Sequence, residues 1–323
     1  MKEFIIDKNH ENQRLDKYVK KLLSRASTTL IYKMIRKKDI KVNGAKVKEN
    51  YILKKGDVVS MFLYEDRFKE LSEPLTLYDL KIEFDVVYED DKILIVNKPA
   101  GLLVHEDENE AMNTLSNQVL NYLYQKGEYD PIADLGFVPG PVHRLDRNTS
   151  GLVIFGKTMK ALQDLNEMMK KRHCIDKTYL TICKGYMESQ EMIDYVKKDA
   201  DNKMMRIVSK DSQGALKMHT IVEKMKYKND MTLLKVKLIT GRTHQIRIHL
   251  SSHDHPIIGD SKYGDFEFNK IIKKNYHLDH QFLHAYSLTF TKPIGCIKYM
   301  EGKTITTPLP KKLNQIKISI FYE

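Results

Sequence analysis

An α+β fold is what this chain predicts, on two observations. Strand-like and helix-like runs are interspersed with no regular strand–helix rhythm, which speaks against a doubly wound sheet. The strand candidates alternate, or nearly alternate, in polarity, as the strands of a partly buried sheet do. A third observation divides the chain. Residues 1–60 hold 16 Lys+Arg against 7 Asp+Glu, whereas residues 61–100 hold 5 against 10. Residues 1–62 therefore read as a small basic domain, 63–78 as a linker and 79–323 as a larger α+β domain.

Within the basic domain, Leu15, Val19, Leu22 and Leu23 recur at helical spacing, and Leu30, Ile31, Met34 and Ile35 mark a second helix. Thr28 or Thr29 is the expected N-cap of that second helix. Asn43-Gly44 predicts a tight turn, Gly56-Asp57 a second one, and short strands are expected around Val47, Ile52 and Val58-Val59. Lys33, Arg36, Lys37, Lys38 and Lys41 cluster on the second helix and its exit. Such a surface attracts phosphates through counterion release. The alternative is the solvated face of an ordinary helical hairpin.

Residues 63–78 are acidic and aperiodic, with Pro74 near the middle, as a linker would be. The larger domain opens with Ile82-Glu83-Phe84, Val86-Val87-Tyr88, an Asp90-Asp91 turn and the buried-type run Ile93-Leu94-Ile95-Val96. Lys98-Pro99-Ala100-Gly101 breaks this strand, and Leu102-Leu103-Val104-His105 is expected to resume it. Leu115, Val119, Leu120 and Leu123 suggest a helix. Leu152-Val153-Ile154-Phe155 then suggests a strand, and Leu162, Leu165, Met168 and Met169 another helix. Further strands are expected over residues 179–183, 233–239 and 288–290.

Composition excludes several function classes. With 323 residues, 41% of them hydrophobic, the chain can bury a sizeable core without staples. Its three cysteines form no Cys-x-x-Cys pair, which argues against a disulfide framework and a thiolate zinc site. The first apolar run is too short for a signal peptide and no run is long enough to cross a bilayer, so a cytoplasmic location is expected. The net charge of +11 is by itself weak evidence for a nucleic-acid partner.

Two polar clusters could carry chemistry. The first, Val142-His143-Arg144-Leu145-Asp146-Arg147-Asn148-Thr149-Ser150-Gly151, sets a carboxylate between two arginines. Flanking cations favour the ionised aspartate, which suits a nucleophile better than a general acid. The alternative is that Asp146 caps a turn and the arginines are surface charges. The second, Thr240-Gly241-Arg242-Thr243-His244-Gln245-Ile246-Arg247-Ile248-His249-Leu250, could open a helix with Ile246 and Leu250 toward the core and His244 and Arg247 on a neighbouring face. His244 and His249 stand five apart and diverge on a helix, where ligand pairs prefer a spacing of about four, so no metal site is expected.

These segments resemble known families. Arg14-Leu15-Asp16-Lys17-Tyr18, Ile31-Tyr32-Lys33-Met34-Ile35-Arg36, Ile40-Lys41-Val42-Asn43-Gly44 and Lys55-Gly56-Asp57 resemble the S4 RNA-binding domain over residues 12–62. Val96-Asn97-Lys98-Pro99-Ala100-Gly101-Leu102 with His105 begins a second match, followed by His143-Arg144-Leu145-Asp146-Arg147 with Thr149-Ser150-Gly151 and by Lys177-Thr178-Tyr179-Leu180. The residue 240–247 cluster with Gly259-Asp260 and Tyr263-Gly264 completes it. In that order these segments resemble the RluA/RluC/RluD family of RNA pseudouridine synthases over about residues 80–295.

The resemblance implies a catalytic domain whose mixed, mainly antiparallel sheet is flanked by helices around a central cleft. It implies that Asp146 is the catalytic aspartate and that Arg247 pairs with it. Tyr179 would contact the flipped uracil and help remove its carbon-5 proton. Arg144 would fill the space the base leaves, with Arg147, Arg242 and His244 as further RNA contacts. Asn148 departs from the family, which more often has an acidic residue there. Isomerising uridine conserves composition and redox state, so no cofactor is expected. The carboxylate could add to carbon 6, attack the sugar or assist elimination from it. The expected partner is RNA, of the 23S-type large-subunit ribosomal class; neither DNA nor a membrane is expected, and the chain is read as a monomer. The rival is a non-catalytic RNA-binding protein that keeps the fold. A nuclease would need clustered metal-binding carboxylates and a glycosidase a carboxylate pair, and neither pattern stands out.

Overall fold

Two helices pack on a small sheet at the N-terminus because each buries one apolar stripe. In α1 (Leu15–Leu22) and α2 (Thr28–Lys37) the buried positions include Leu15, Val19 and Leu22, then Ile31, Met34 and Ile35. They cover an antiparallel sheet of β1 (Lys2–Ile5), β2 (Ile40–Val42) and β3 (Val58–Met61) in the order β1-β3-β2. The expected tight turn is present: Asn43 and Gly44 both have positive φ, and Val42 and Ala45 exchange backbone hydrogen bonds across it.

Two local expectations differ. The N-cap of α2 is Ser27, whose Oγ accepts from the Leu30 backbone N–H at 3.1 Å, not Thr28 or Thr29. No strand forms at Val47, and Ile52 makes only an isolated bridge to Arg14. The carbonyls of Glu49, Tyr51 and Leu53 instead accept from the N–H groups of Asp16, Leu15 and Asn12, so this segment caps the start of α1.

The structure, a computed structural model, describes residues 1–7, 10–72, 77, 80–131, 134, 136–199 and 204–323. Part of the segment read as linker is helical. In α3 (Glu65–Leu71), Phe68 and Leu71 are buried in the N-terminal core, with Phe68 stacked on Phe4 at 6.0 Å between ring centres. Seven residues with two apolar anchors are too few to show a helical period. Pro74 lies outside the described residues.

The larger domain is built on one sheet. Its strands are β4 (Asp85–Glu89), β5 (Ile93–Lys98), β6 (Gly140–Pro141), β7 (Ser150–Gly156), β8 (Ile175–Lys184) and β9 (Gln190–Lys198). The rest are β10 (Met205–Ile207), β11 (Leu216–Lys228), β12 (Met231–Leu238), β13 (Leu283–Phe290) and β14 (Thr304–Thr306). The order is β10-β9-β11-β12-β8-β13-β7-β5-β4, with β14 beside β13 and β6 beside β7. Every pairing is antiparallel except β7 with β13, so the sheet is mixed and mainly antiparallel as expected.

Helices cover both faces, which explains the near-continuous apolar runs in β5 and β7. Leu94, Val96, Val153 and Phe155 join the core on one face, with apolar residues of α4 (Leu115–Gln125), α6 (Gln245–Ser252), α7 (Phe266–Tyr276) and α8 (Lys311–Phe321). Ile93, Ile95, Leu152 and Ile154 join the other, beneath α5 (Met159–Lys171) and a 3-10 helix at Gly295–Met300. No helix among the described residues is long and apolar enough to cross a membrane. The expected strand at residues 102–105 is reduced to one bridge between Leu103 and Thr114.

The parallel pairing of β7 with β13 covers two residue pairs, His284 with Ser150 and Ala285 with Gly151. Gly151 has φ +115, and a Cβ there would lie 2.3 Å from the Ala285 carbonyl oxygen, so only glycine permits this approach. Beside it the buried Ser150 hydroxyl meets His284 Nδ1 at 2.8 Å, while His284 Nε2 meets the Thr307 carbonyl at 3.2 Å. The Nε2–H tautomer satisfies both, and burial pushes the imidazole down to about 4. Below the unfolded value of about 6.5 the unfolded chain takes up a proton that folded His284 refuses. Stability is therefore full above that value and falls as the pH drops toward 4. His284 alone accounts for about 2 kcal/mol lost by pH 5. Urea unfolding at pH 8 and pH 5 checks this: in His284→Gln the loss on acidification should be smaller by that amount.

Candidate active site

The site begins where the chain enters β7. Asp146 lies on the loop before this strand, with Leu145 buried beneath it and its own side chain 27% exposed. Its counter-ion comes from a distant element. Arg247 on α6 donates from Nη1 to Asp146 Oδ2 at 2.8 Å. The two arginines next to Asp146 in sequence do not play this part. Arg147 pairs with Asp107 at 3.3 Å, and exposed Arg144 has no acidic partner among the described residues. The local reading of that segment is corrected accordingly: the cation facing the carboxylate lies a hundred residues downstream. Nor is Asp146 a turn cap, since it is its backbone carbonyl that accepts from Thr149 N–H at 3.0 Å.

Arg247 is itself held from behind. Its Nε and Nη2 donate to the two carboxylate oxygens of Asp260 at 2.7 and 2.8 Å, and both side chains are buried. Burial opposes the charge on each. The Asp260 pair, reinforced by Asp146, overrides it and raises the guanidinium above its ordinary value. Arg247 and the Lys262 and Tyr263 backbone N–H groups likewise hold Asp260 below the usual carboxylate range. A two-pronged grip from Asp260 leaves one guanidinium edge for Asp146, fixed in direction.

His244 stands at the N-cap of α6 with φ 54. The Met205 N–H donates to the Tyr263 hydroxyl at 3.0 Å, and that hydroxyl lies 3.0 Å from His244 Nδ1. A hydroxyl that accepts from Met205 donates to Nδ1, which leaves a hydrogen on Nε2, 3.9 Å from Asp146 Oδ2. Burial lowers the imidazole pKa although Asp146 opposes this, so His244 faces the carboxylate as a neutral ring. As predicted from the sequence, Ile246 and Leu250 are in the core, but Arg247 and His249 are buried too. The helix is not an exposed basic one.

Tyr179 lies on β8 in a row that runs Val236, Tyr179, Ala285, Gly151 across four strands. Its side chain is largely buried, and burial followed by the Asp146 charge raises its phenol pKa well above the ordinary value, so it is protonated at neutral pH. No hydrogen bond holds its hydroxyl among the described residues.

One residue beneath the site was not singled out from the sequence. Lys98 is fully buried at the end of β5, and its Nζ donates to the carbonyls of Pro99 at 2.7 Å, Leu102 at 2.7 Å and Arg147 at 2.9 Å. Burial pushes this ammonium down to about 7 while Asp146 works the other way. Three acceptors take its three hydrogens, so one side chain ties the end of β5 to the loop bearing Asp146. The same grip on Leu102 explains why no strand resumes there. Asp260 and Tyr263 were likewise recognised only as parts of motifs. The signal for Lys98 was a lysine closing an apolar run; for the other two, local sequence carried none.

Asp146, Tyr179 and Arg247 share one cleft of about 1200 Å³ with Arg144, Arg147, Arg242 and His244. Lys170, Arg172, Lys177, Lys198 and Lys262 add to its basic lining. The proposed contacts of the first domain lie apart from it. Lys33, Arg36, Lys37 and Lys38 are exposed with no acidic partner among the described residues, and Lys41 Nζ sits 4.8 Å over the Phe62 ring. The domains touch where Lys21 Nζ donates to the Gly136 carbonyl at 2.9 Å and Gln163 Nε2 to the Asn12 carbonyl at 2.8 Å.

Comparison with known proteins identifies the family. Residues 92–252 match the RNA pseudouridylate synthase family and residues 13–59 the S4 domain. The chain is 34% identical over 314 residues to an RNA pseudouridine synthase of Mycoplasma capricolum, covering 94% of this chain and 97% of that one. It is 32% identical over 319 residues to ribosomal large subunit pseudouridine synthase C of Haemophilus ducreyi, covering 97% and 93%. The human RNA pseudouridylate synthase domain containing 4 shares the fold, with a TM-score of 0.56 at 21% identity over 72% of this chain and 92% of that one. With both domains matched and relatives aligned almost end to end, the chain belongs to the RluA/RluC family of RNA pseudouridine synthases, isomerases of uridine in RNA, and carries an N-terminal S4 domain.

Proposed function

We propose that this enzyme isomerises uridines of large-subunit ribosomal RNA, with the Asp146 carboxylate as its catalytic group and no cofactor. One observation carries the reading: Arg247, gripped by Asp260, presents its remaining edge to Asp146 Oδ2 at 2.8 Å in a cleft lined with basic side chains. An ionised carboxylate is the common starting point for addition to carbon 6, attack on the sugar and elimination from it. The base leaves its stack to reach Asp146, at a cost of a few kcal/mol that contacts in the cleft offset. Tyr179 packs against the flipped ring in this reading, and as a protonated phenol it starts as a hydrogen-bond donor. Arg144, exposed in the cleft lining and with no acidic partner among the described residues, suits the gap left by the extruded base. Arg147, Arg242 and the cleft lysines attract the flanking phosphates.

The relatives that carry this name and align along nearly the whole chain support the large-subunit target. In this reading the enzyme acts in the cytoplasm as a monomer, with RNA and not DNA as its partner. Lys33, Arg36, Lys37, Lys38 and Lys41 of the first domain supply a second phosphate-binding surface.

Three outcomes are expected. Asp146→Asn keeps a hydrogen-bond acceptor for Arg247 but lowers tritium release from carbon-5-labelled uridine RNA by about a thousandfold or more, with RNA affinity kept. Turnover of the variant at the wild-type rate would refute the assignment. Mapping pseudouridines in cells lacking the protein, restored with wild type or this variant, identifies the RNA. Asp260→Asn strips Arg247 of a buried partner and lowers stability by about 3 kcal/mol in urea unfolding. Replacing Lys33, Arg36, Lys37 and Lys38 by Gln flattens the dependence of log affinity on log salt by about 3, at 0.7–0.9 per phosphate contact. An unchanged slope would remove this surface from the RNA interface.

A further inference from the structure

A second cluster lies on the other side of α6. His249 follows Arg247 by two residues and is fully buried, pointing not into the cleft but toward β9 and β11. There its Nε2 lies 3.1 Å from Asp194 Oδ2. His253, four residues on at the end of α6, brings its Nε2 to 2.7 Å from the same oxygen. Two histidines four apart on a helix share a face. This is the spacing that ligand pairs prefer and that His244 and His249 lack.

We infer that Asp194, His249 and His253 form a binding site for a divalent transition metal of the zinc class, which pins α6 to β9. Three observations support it independently of the isomerase chemistry. The ligand atoms all lie within 4.8 Å of one another, and a tetrahedral ion with bonds of 2.0–2.1 Å needs its donors about 3.3 Å apart. Small side-chain movements therefore close the site.

The second is the state of His249 Nε2. Although this atom is buried and close to Asp194, its geometry satisfies no hydrogen bond. A buried polar atom without a partner is costly. The third is the other ring nitrogen. Nδ1 lies 2.8 Å from Thr220 Oγ1, which also accepts from Gln245 Nε2 at 2.9 Å. This hydroxyl serves either tautomer of the ring, and it accepts from Nδ1–H when Nε2 ligates an ion. An outer hydrogen bond that fixes ring and tautomer is the usual support of a metal-ligating histidine.

Two imidazoles and one carboxylate suit zinc, leaving a fourth position for water, and no thiolate is present to favour copper(I) or an iron–sulfur cluster. Access is open from outside, because the side chains of Asp194 and His253 are 28% and 35% exposed. Only His249 is sealed in. The ion would join Asp194 of β9 to the helix that carries Arg247. It would touch no substrate and take no part in the isomerisation.

The test uses the full chain without a histidine tag, stripped with a chelator and then titrated with Zn²⁺ alone against a chromophoric competitor. One equivalent should bind per chain, and the melting temperature should rise with zinc concentration. Co²⁺ should give the visible absorption of a four-coordinate site. His253→Ala and Asp194→Ala, at the two accessible positions, should each weaken zinc binding at least about tenfold and abolish the thermal shift. Their metal-free melting curves should stay cooperative, which separates lost ligation from lost folding. Failure of the wild type to bind micromolar zinc would overturn the proposal and leave a hydrogen-bonded His–Asp–His cluster. Equal zinc affinity in the variants would overturn it too, placing the binding elsewhere. Neither arm measures isomerisation, so the result is separate from the fate of the Asp146 assignment.

Discussion

One guanidinium divides its hydrogen bonds between two carboxylates, and the larger domain is arranged around that division. Arg247 meets Asp260 through two bonds in a buried setting and Asp146 through one at the floor of the cleft. Without Asp260 the arginine would be a buried cation with a single acid partner and freedom to swing. With it, the direction of the third bond is set before any RNA arrives. Such pre-orientation matters because a charge that must reorganise during reaction contributes less than one already in place. The groups that fix Asp260 come from its own turn, through the backbone of Lys262 and Tyr263. Those that fix the Asp146 loop come from Lys98 on β5.

How much of this could be read beforehand differs by scale. Helical stripes such as Leu15, Val19 and Leu22, the Asn43-Gly44 turn and the apolar runs of β5 and β7 are local patterns, and they form as expected. The α3 helix and the missing strand at Val47 were misread because neighbours in space decide them, whereas the Ser27 cap is a local contact one residue before the expected Thr28. Residues 49–53 satisfy the start of α1, and Phe68 finds Phe4.

The candidate site divides the same way. Ordered motifs pointed to Asp146, Tyr179 and Arg247, and the fold brings all three to one cleft. The physical reason offered for an ionised Asp146, its flanking arginines, was a statement about neighbours in sequence. Consecutive side chains on a loop need not face one another, and here Arg147 turns to Asp107 while the needed cation arrives from α6. Pairings such as Arg247 with Asp260, or Lys98 with the Arg147 carbonyl, have no local signature at all. They exist only once the sheet is closed.

The short parallel contact of β7 with β13 has a consequence of its own. On one side of it lie β4, β5 and β7 with the Asp146 loop; on the other lie β13, β8 and the strands beyond, with Tyr179 and the turn before α6. Each flank is an antiparallel set of strands, yet neither by itself joins Asp146 to Arg247. The acid and its arginine become partners only when two residue pairs zip the flanks together in register. The pairing of Asp146 with Arg247 thus doubles as a checkpoint on assembly: a half-folded chain would hold either the carboxylate or its counter-ion, but not the pair.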